Sequence, residues 1–168
     1  MALSMYQASV PAFQRTLKAL DAILDKAAAW SAERKIDPAV FIGARLAPDM
    51  FPFARQVQIA SDHAKGCAAR LAGVAVPSYE DTEKTFPELK ARIGKTLDFI
   101  GALEPDAIDG SEGRDISLKA GPRDLTFKGQ DYLVFFALPN FYFHAATAYD
   151  ILRHNGVPVG KLDFLGGV

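Results

Sequence analysis

The strongest constraint in this sequence is a run of apolar residues spaced alternately three and four apart. Leu3, Tyr6, Val10, Phe13, Leu17, Leu20, Leu24 and Ala27 follow this rhythm. It places them on one face of a helix, with Gln14, Arg15, Lys18, Asp21 and Asp25 on the solvated side. Pro11 removes one backbone donor from the segment, which predicts a kink or a restart near Ser9. The stripe recurs. Met50, Phe53, Val57, Ala60, Ala64, Cys67 and Leu71 predict a second helix with Asp49 as its N-cap and Gly73 as its stop. Phe86, Leu89, Ile93, Leu97 and Ile100 predict a third, closed by Gly101 and Pro105. Its start has two candidates, Ser78 with Asp81 or the capping box of Thr85 and Glu88. Asp37-Pro38 can open one short turn between the first two helices.

The period then changes from helical to alternating. Ile116, Leu118 and Ala120, then Leu125 and Phe127, flank Gly121-Pro122-Arg123-Asp124 and predict a β-hairpin. Asp106–Gly110 reads as a loop, lacking the spacing and distal glutamate of a calcium-binding loop. Glu80–Lys84 reads as a solvated helix start. A last helix, from Pro139 to His154, is apolar or aromatic nearly all round, so it is central or covered by another chain. Asn155-Gly156 ends it, with His154 as a C-terminal cap. The tail, Lys161–Leu165, brings three large apolar residues that need cover. Three striped helices and one apolar helix can close around a single core. They predict an all-α four-helix bundle spanning residues 1–168 as one domain, with a small hairpin between helices three and four.

Composition narrows the function. Lys and Arg number 19 against 20 Asp and Glu, a net charge of -1. That leaves little electrostatic basis for nucleic-acid binding. No apolar run is long enough to span a bilayer, and the longest, 132–143, is broken by Pro139. The N-terminus shows no secretory signal pattern. The single cysteine, Cys67, reads as an inert buried thiol in a reducing compartment. The expectation is a cytoplasmic protein with no membrane or nucleic-acid partner. The sequence contains no dinucleotide fingerprint, phosphate loop, zinc-protease motif or hydrolase elbow.

Three stretches carry a resemblance. Ser4–Phe13, Leu46–Pro52 and Leu138–His144 together resemble an uncharacterised bacterial family, a domain of unknown function. That family is similar in fold to the DinB/YfiT-like metalloenzyme superfamily. The resemblance implies a four-helix bundle of up-down topology, often dimeric, with a metal on three histidines. One of these comes from the second helix and two from an H-x-x-x-H pair on the fourth. Carried over residue by residue, the pair falls on Asn140 and His144 and the third position on Gln56. Two of the three imidazoles are thus replaced by amides, whose neutral oxygens are weak ligands for zinc or nickel.

Asn140 and His144 lie four apart, on one helical face. With Gln56 they suit hydrogen bonding to a small polar ligand or a water. Tyr142 and Tyr149 flank His144 and are further candidates to line such a pocket. His63, two turns beyond Gln56, reads as a surface residue that also lies on the pocket side of the helix, and Asp62 beside it is expected to point elsewhere. The leading expectation is a protein binding a small polar molecule at Gln56, Asn140 and His144, with no cofactor. Two alternatives stand beside it. In one, a DinB-type thiol transferase or hydrolase holds zinc or nickel on His63 and His144. In the other, the protein is a structural homodimer built on the apolar fourth helix and the tail.

Overall fold

The computed structural model describes residues 3–167. The first helix, α1 (Met5–Arg34), starts at Ser4, whose hydroxyl accepts from the Gln7 amide while the Gln7 side chain reaches back. This reciprocal cap satisfies two otherwise orphaned donors. The helix runs unbroken through Pro11, which is exposed and costs it one backbone bond without a restart at Ser9. A short α2 (Pro38–Ile42) follows, capped by Asp37. The second long helix, α3 (Phe53–Ala72), begins at Pro52 rather than Asp49, because Asp49 lies in the preceding turn; it ends at Gly73 with φ 71°. The third, α4 (Phe86–Gly101), uses the Thr85–Glu88 capping box and not Ser78. A four-residue α5 (Pro105–Ile108) then leads to the hairpin.

The hairpin pairs β1 (Asp115–Ala120) with β2 (Arg123–Lys128), Ala120 opposite Arg123. Its loop shrinks to Gly121-Pro122. Gly121 takes φ 59° and proline cannot, which is the pattern of a type II′ turn. The last long helix starts well before Pro139. It comprises α6 (Gly129–Asp131), a π-helical turn over Tyr132–Ala137 and α7 (Leu138–His154). The i→i+5 turn sits just ahead of Pro139, where a regular helix would have met the proline ring and lost its amide. The apolar run 132–143 is therefore a wide helical turn feeding α7. Asn155 Nδ2 caps α7 on the Ile151 carbonyl at 2.7 Å, the role expected of His154, which is exposed. In the tail, α8 (Lys161–Phe164) lies on α1, where Asp163 pairs with Lys26 at 2.6 Å. Phe164 meets Tyr149, while Leu162 stays 65% exposed, so the tail is only partly covered.

One continuous core joins the four long helices, with Phe13, Leu17, Leu20 and Leu24 of α1 against Leu89, Ile93 and Ile100 of α4 and Phe141, Ile151 and Leu152 of α7. Each such fully buried side chain contributes about 1.5–3 kcal/mol of transfer free energy. On α3 the buried positions Ala60, Ala64 and Ala68 are small, which lets α7 approach closely.

The fold is an all-α four-helix bundle with the expected hairpin. Its helices do not alternate strictly, however. Lys90 of α4 bonds Asp21 and Asp25 of α1, and Gly101 lies by Gln14, so α1 and α4 are antiparallel. Phe53 meets Phe86 and Asp62 meets Arg92, so α3 and α4 run parallel. The order is up, down, down, up. Residues 74–85 make this possible by running back along α3 before α4 begins. They are anchored by Arg55 to Asp81, by Gln58 Nε2 to Glu83 at 2.9 Å, and by Arg92 to Glu83 and the Glu80 carbonyl at 3.0 Å. The charged run Glu80–Lys84 is thus not a helix start, because its acids serve as these anchors. Among the described residues, no helix is long and apolar enough to cross a membrane.

Candidate functional site

The site lies where α3 and the last helix run antiparallel. Gln56, His63 and Arg70 are seven apart, on one face of α3. Opposite them stand Tyr132, Phe136, Asn140 and His144, each four apart. In a regular helix that spacing drifts about 40° per step. The wider π turn takes up part of the drift, so all four positions reach α3. Arg70 Nη1 donates to the Tyr132 hydroxyl at 3.1 Å. The His63 ring meets Phe136 edge-on at 5.9 Å and His144 in near-parallel stacking at 5.8 Å, interplanar angle 14°. Gln56 meets His144.

That last contact fixes a tautomer. Gln56 Nε2 donates to the Phe51 carbonyl at 3.0 Å, leaving Oε1 as acceptor. His144 Nδ1 lies 2.7 Å from Oε1 and must therefore carry the proton, with the lone pair on Nε2. Asn140 is oriented likewise. Its Nδ2 donates to the Phe136 carbonyl at 2.7 Å, so its oxygen is free to accept. Both imidazoles are held neutral at ordinary pH. Burial lowers His63 to about 4, helped by the nearby His144 and Arg70 and opposed by Asp62. Burial, with Arg55 nearby, lowers His144 to about 4 as well.

Above His63 opens a cleft of about 480 Å³. Arg55, Asp62, His63 and Arg70 form its floor from α3, with Tyr132, Phe136 and Asn140 on one wall and the hairpin tip, Leu118–Gly121, on the other. Of the residues expected at the pocket, Asn140 lines this cleft. Gln56 is buried behind it and His144 backs His63 from the side. Tyr142 and Tyr149 lie elsewhere, Tyr142 39% exposed with its edge on Phe141 and Tyr149 against Phe164. His63 faces the cleft, and so does Asp62, which also binds Lys65 at 2.6 Å and Arg92 at 2.8 Å. Sequence reasoning missed Arg70, Tyr132 and the hairpin tip. The available signal was the seven-residue step from His63 to Arg70. Cys67 is buried, and burial pushes its thiol up, away from reactivity.

The DinB-like fold implies a metal, and the donors here do not fit one. Of the three positions that the resemblance implies, two carry amides: Gln56 has both ends committed to internal hydrogen bonds, and Asn140 offers only a neutral oxygen. Adding His63 gives two imidazoles. Among the described residues, no group of three His, Cys, Asp or Glu side chains is arranged to hold an ion. Such a set lacks the ligands a zinc or nickel centre requires.

Comparison with known proteins agrees with this architecture. No curated protein matches the chain. The crystal structure of a DinB family member protein from Shewanella denitrificans is similar, with a TM-score of 0.87 and 40% sequence identity over 97% of this chain and 92% of that one. The model of a domain of unknown function, DUF1993, matches residues 5–165. With the match spanning all four long helices and the hairpin, the chain belongs to the DUF1993 family.

Proposed function

We propose that this protein binds a small polar molecule in the cleft over His63 and Asn140, without a transition metal. The observation that carries this reading is the stacked, neutral His63–His144 pair, with His144 locked into one tautomer by Gln56. Buried polar groups set in fixed orientations beside an open cleft of ligand size are the usual makings of a binding site. The cleft takes the place of the three-histidine centre of the fold family, with Gln56 and His144 supporting it from behind. A cytoplasmic setting suits the unpaired thiol of Cys67.

A fragment screen by ligand-observed NMR tests the reading, with the His63→Phe variant as control. Hits that compete for one site and are lost in the variant support it. Hits that bind equally to both proteins overturn it. Elemental mass spectrometry is the companion test. Protein made in zinc- and nickel-supplemented medium should hold only trace metal. One equivalent, lost in His144→Ala, would instead favour a metal-dependent thiol transferase or hydrolase.

A second copy of the chain is the partner we propose. Phe135 is 73% exposed, Phe143 56% and Tyr142 39%, with exposed Pro139 between them. They form an aromatic strip along one helix, which can meet its own copy across a two-fold axis. Light scattering should report a dimer, and the double variant Phe135→Ser, Phe143→Ser a monomer.

A further inference from the structure

The charge of the cleft points to the class of molecule it takes, an inference that rests on the cleft being the binding site. Three ionisable side chains of fixed sign line it from α3, Arg55, Arg70 and Asp62, while Lys119 of the hairpin tip lies on the exposed strand face opposite Asp124. Asp62 is already neutralised by Lys65 and Arg92. Arg55 is taken up by Asp81 and Gln58. Arg70 is different, because among the described residues no carboxylate lies within ion-pair distance of it. The cleft therefore carries positive charge that the protein itself does not balance.

Arg70 is also held in place. Its guanidinium packs so close to Gly66 that a Cβ there would lie 2.6 Å from Nη1, so the absence of a side chain at Gly66 makes its berth. One of its amino groups is spent on the Tyr132 hydroxyl, which accepts and keeps its own proton to donate. Burial holds that phenol protonated, up to about 12. A planar guanidinium with donors to spare, beside a phenolic O–H, is the arrangement that grips a carboxylate or phosphate. Ile59, Leu118 and Phe136 supply an apolar surface beside it.

We propose that the cleft binds a small organic anion, its charged group on Arg70 and the Tyr132 hydroxyl and its apolar body against Phe136 and Ile59. Carboxylate and phosphate share this chemistry, and the test separates them. Isotope-labelled full-length protein is titrated with phenylacetate, phenyl phosphate and the neutral 2-phenylacetamide, following backbone resonances by NMR. The expected result is that at least one anion shifts signals of residues 59–70, 118–121 and 132–140, with an affinity at least about tenfold above that of the amide, in keeping with one charge-assisted contact. The tighter anion identifies the group. Arg70→Gln should bring that anion down to the amide's affinity, and Arg70→Lys, which keeps the charge and loses the paired donors, should fall between the two. Equal binding of anion and amide in the cleft overturns the anion assignment and leaves the binding site standing. Anion shifts confined to another surface overturn the assignment as well. No shift at the cleft from any of the three overturns both the assignment and the reading of the cleft as a site.

Discussion

At the residue scale, Gln56 carries more of the site than its chemistry suggests. It is buried, and each end of its amide is used, one on the Phe51 carbonyl and one on His144. Gln56→Ala leaves the His144 N–H without its acceptor, and the expected cost is about 1–3 kcal/mol in urea denaturation. Gln56→Glu keeps an acceptor and adds a charge, so it should raise the His144 pKa, measurable by NMR titration. The two histidines also set a pH dependence. An unfolded imidazole takes its proton near 6.5, the folded pair only at about 4. Between those values the unfolded chain binds more protons. Stability from this source is therefore complete above about pH 6.5 and is lost as the pH falls toward 4. Denaturation curves across this window should fall less steeply for His63→Phe than for the parent. Parallel curves would show that His63 does not titrate in this way.

At the scale of elements, the π turn decides what the last helix presents. It admits Pro139 and turns Tyr132 and Phe136 toward α3, where they form a wall of the cleft. Its position depends on Gly129. A Cβ there would strike the Ser111 carbonyl far inside van der Waals contact, and Gln130 N donates to the Glu112 carbonyl at 3.0 Å. The loop before the hairpin and the start of the last helix are thus in backbone contact. Gly129→Ala should cost at least about 2 kcal/mol, since rigid backbone must move to make room. Hydrogen exchange should show the loss concentrated in residues 129–137. A neutral outcome would mean that the π turn is held from elsewhere. The caps at Thr85 and Gly73 were legible in the sequence because capping is local chemistry. The π turn was not, because residues 132–143 look alike whether they form a buried coil or a wide helix.

At the scale of the molecule, the direction of α4 rests on Arg92. Its side chain is 1% exposed and meets Asp62, Asp81 and Glu83 within 3.0 Å, tying α3, α4 and residues 81–83 together. Burial works against its charge, and the surrounding carboxylates more than offset that. Arg92→Met leaves those acids without their shared partner, and the expected loss is about 3 kcal/mol or more. Amide exchange should then rise first in residues 74–85. If that segment stays protected, Arg55 and Gln58 suffice to hold it. The same network lies beneath the cleft, since Asp62 belongs to both.

What the sequence determined by itself is what local periodicity encodes. The apolar stripes of α1, α3 and α4, the Thr85 box and the alternation of the hairpin each depend on neighbours within a turn or a strand pair. Asn140 and His144 were legible for the same reason, as positions on one helix face, while the amides in place of imidazoles came from the resemblance alone. The tertiary structure decided the rest. Whether α4 runs with α3 or against it depends on ion pairs such as Arg92 with Asp81 and Glu83 that form only once residues 74–85 fold back. Whether His63 faces solvent or a cleft depends on the rotation of α3 against a helix some seventy residues further on, roughly as far as Arg70 from Tyr132. Helical spacing sets which residues share a face, and only packing chooses what that face meets.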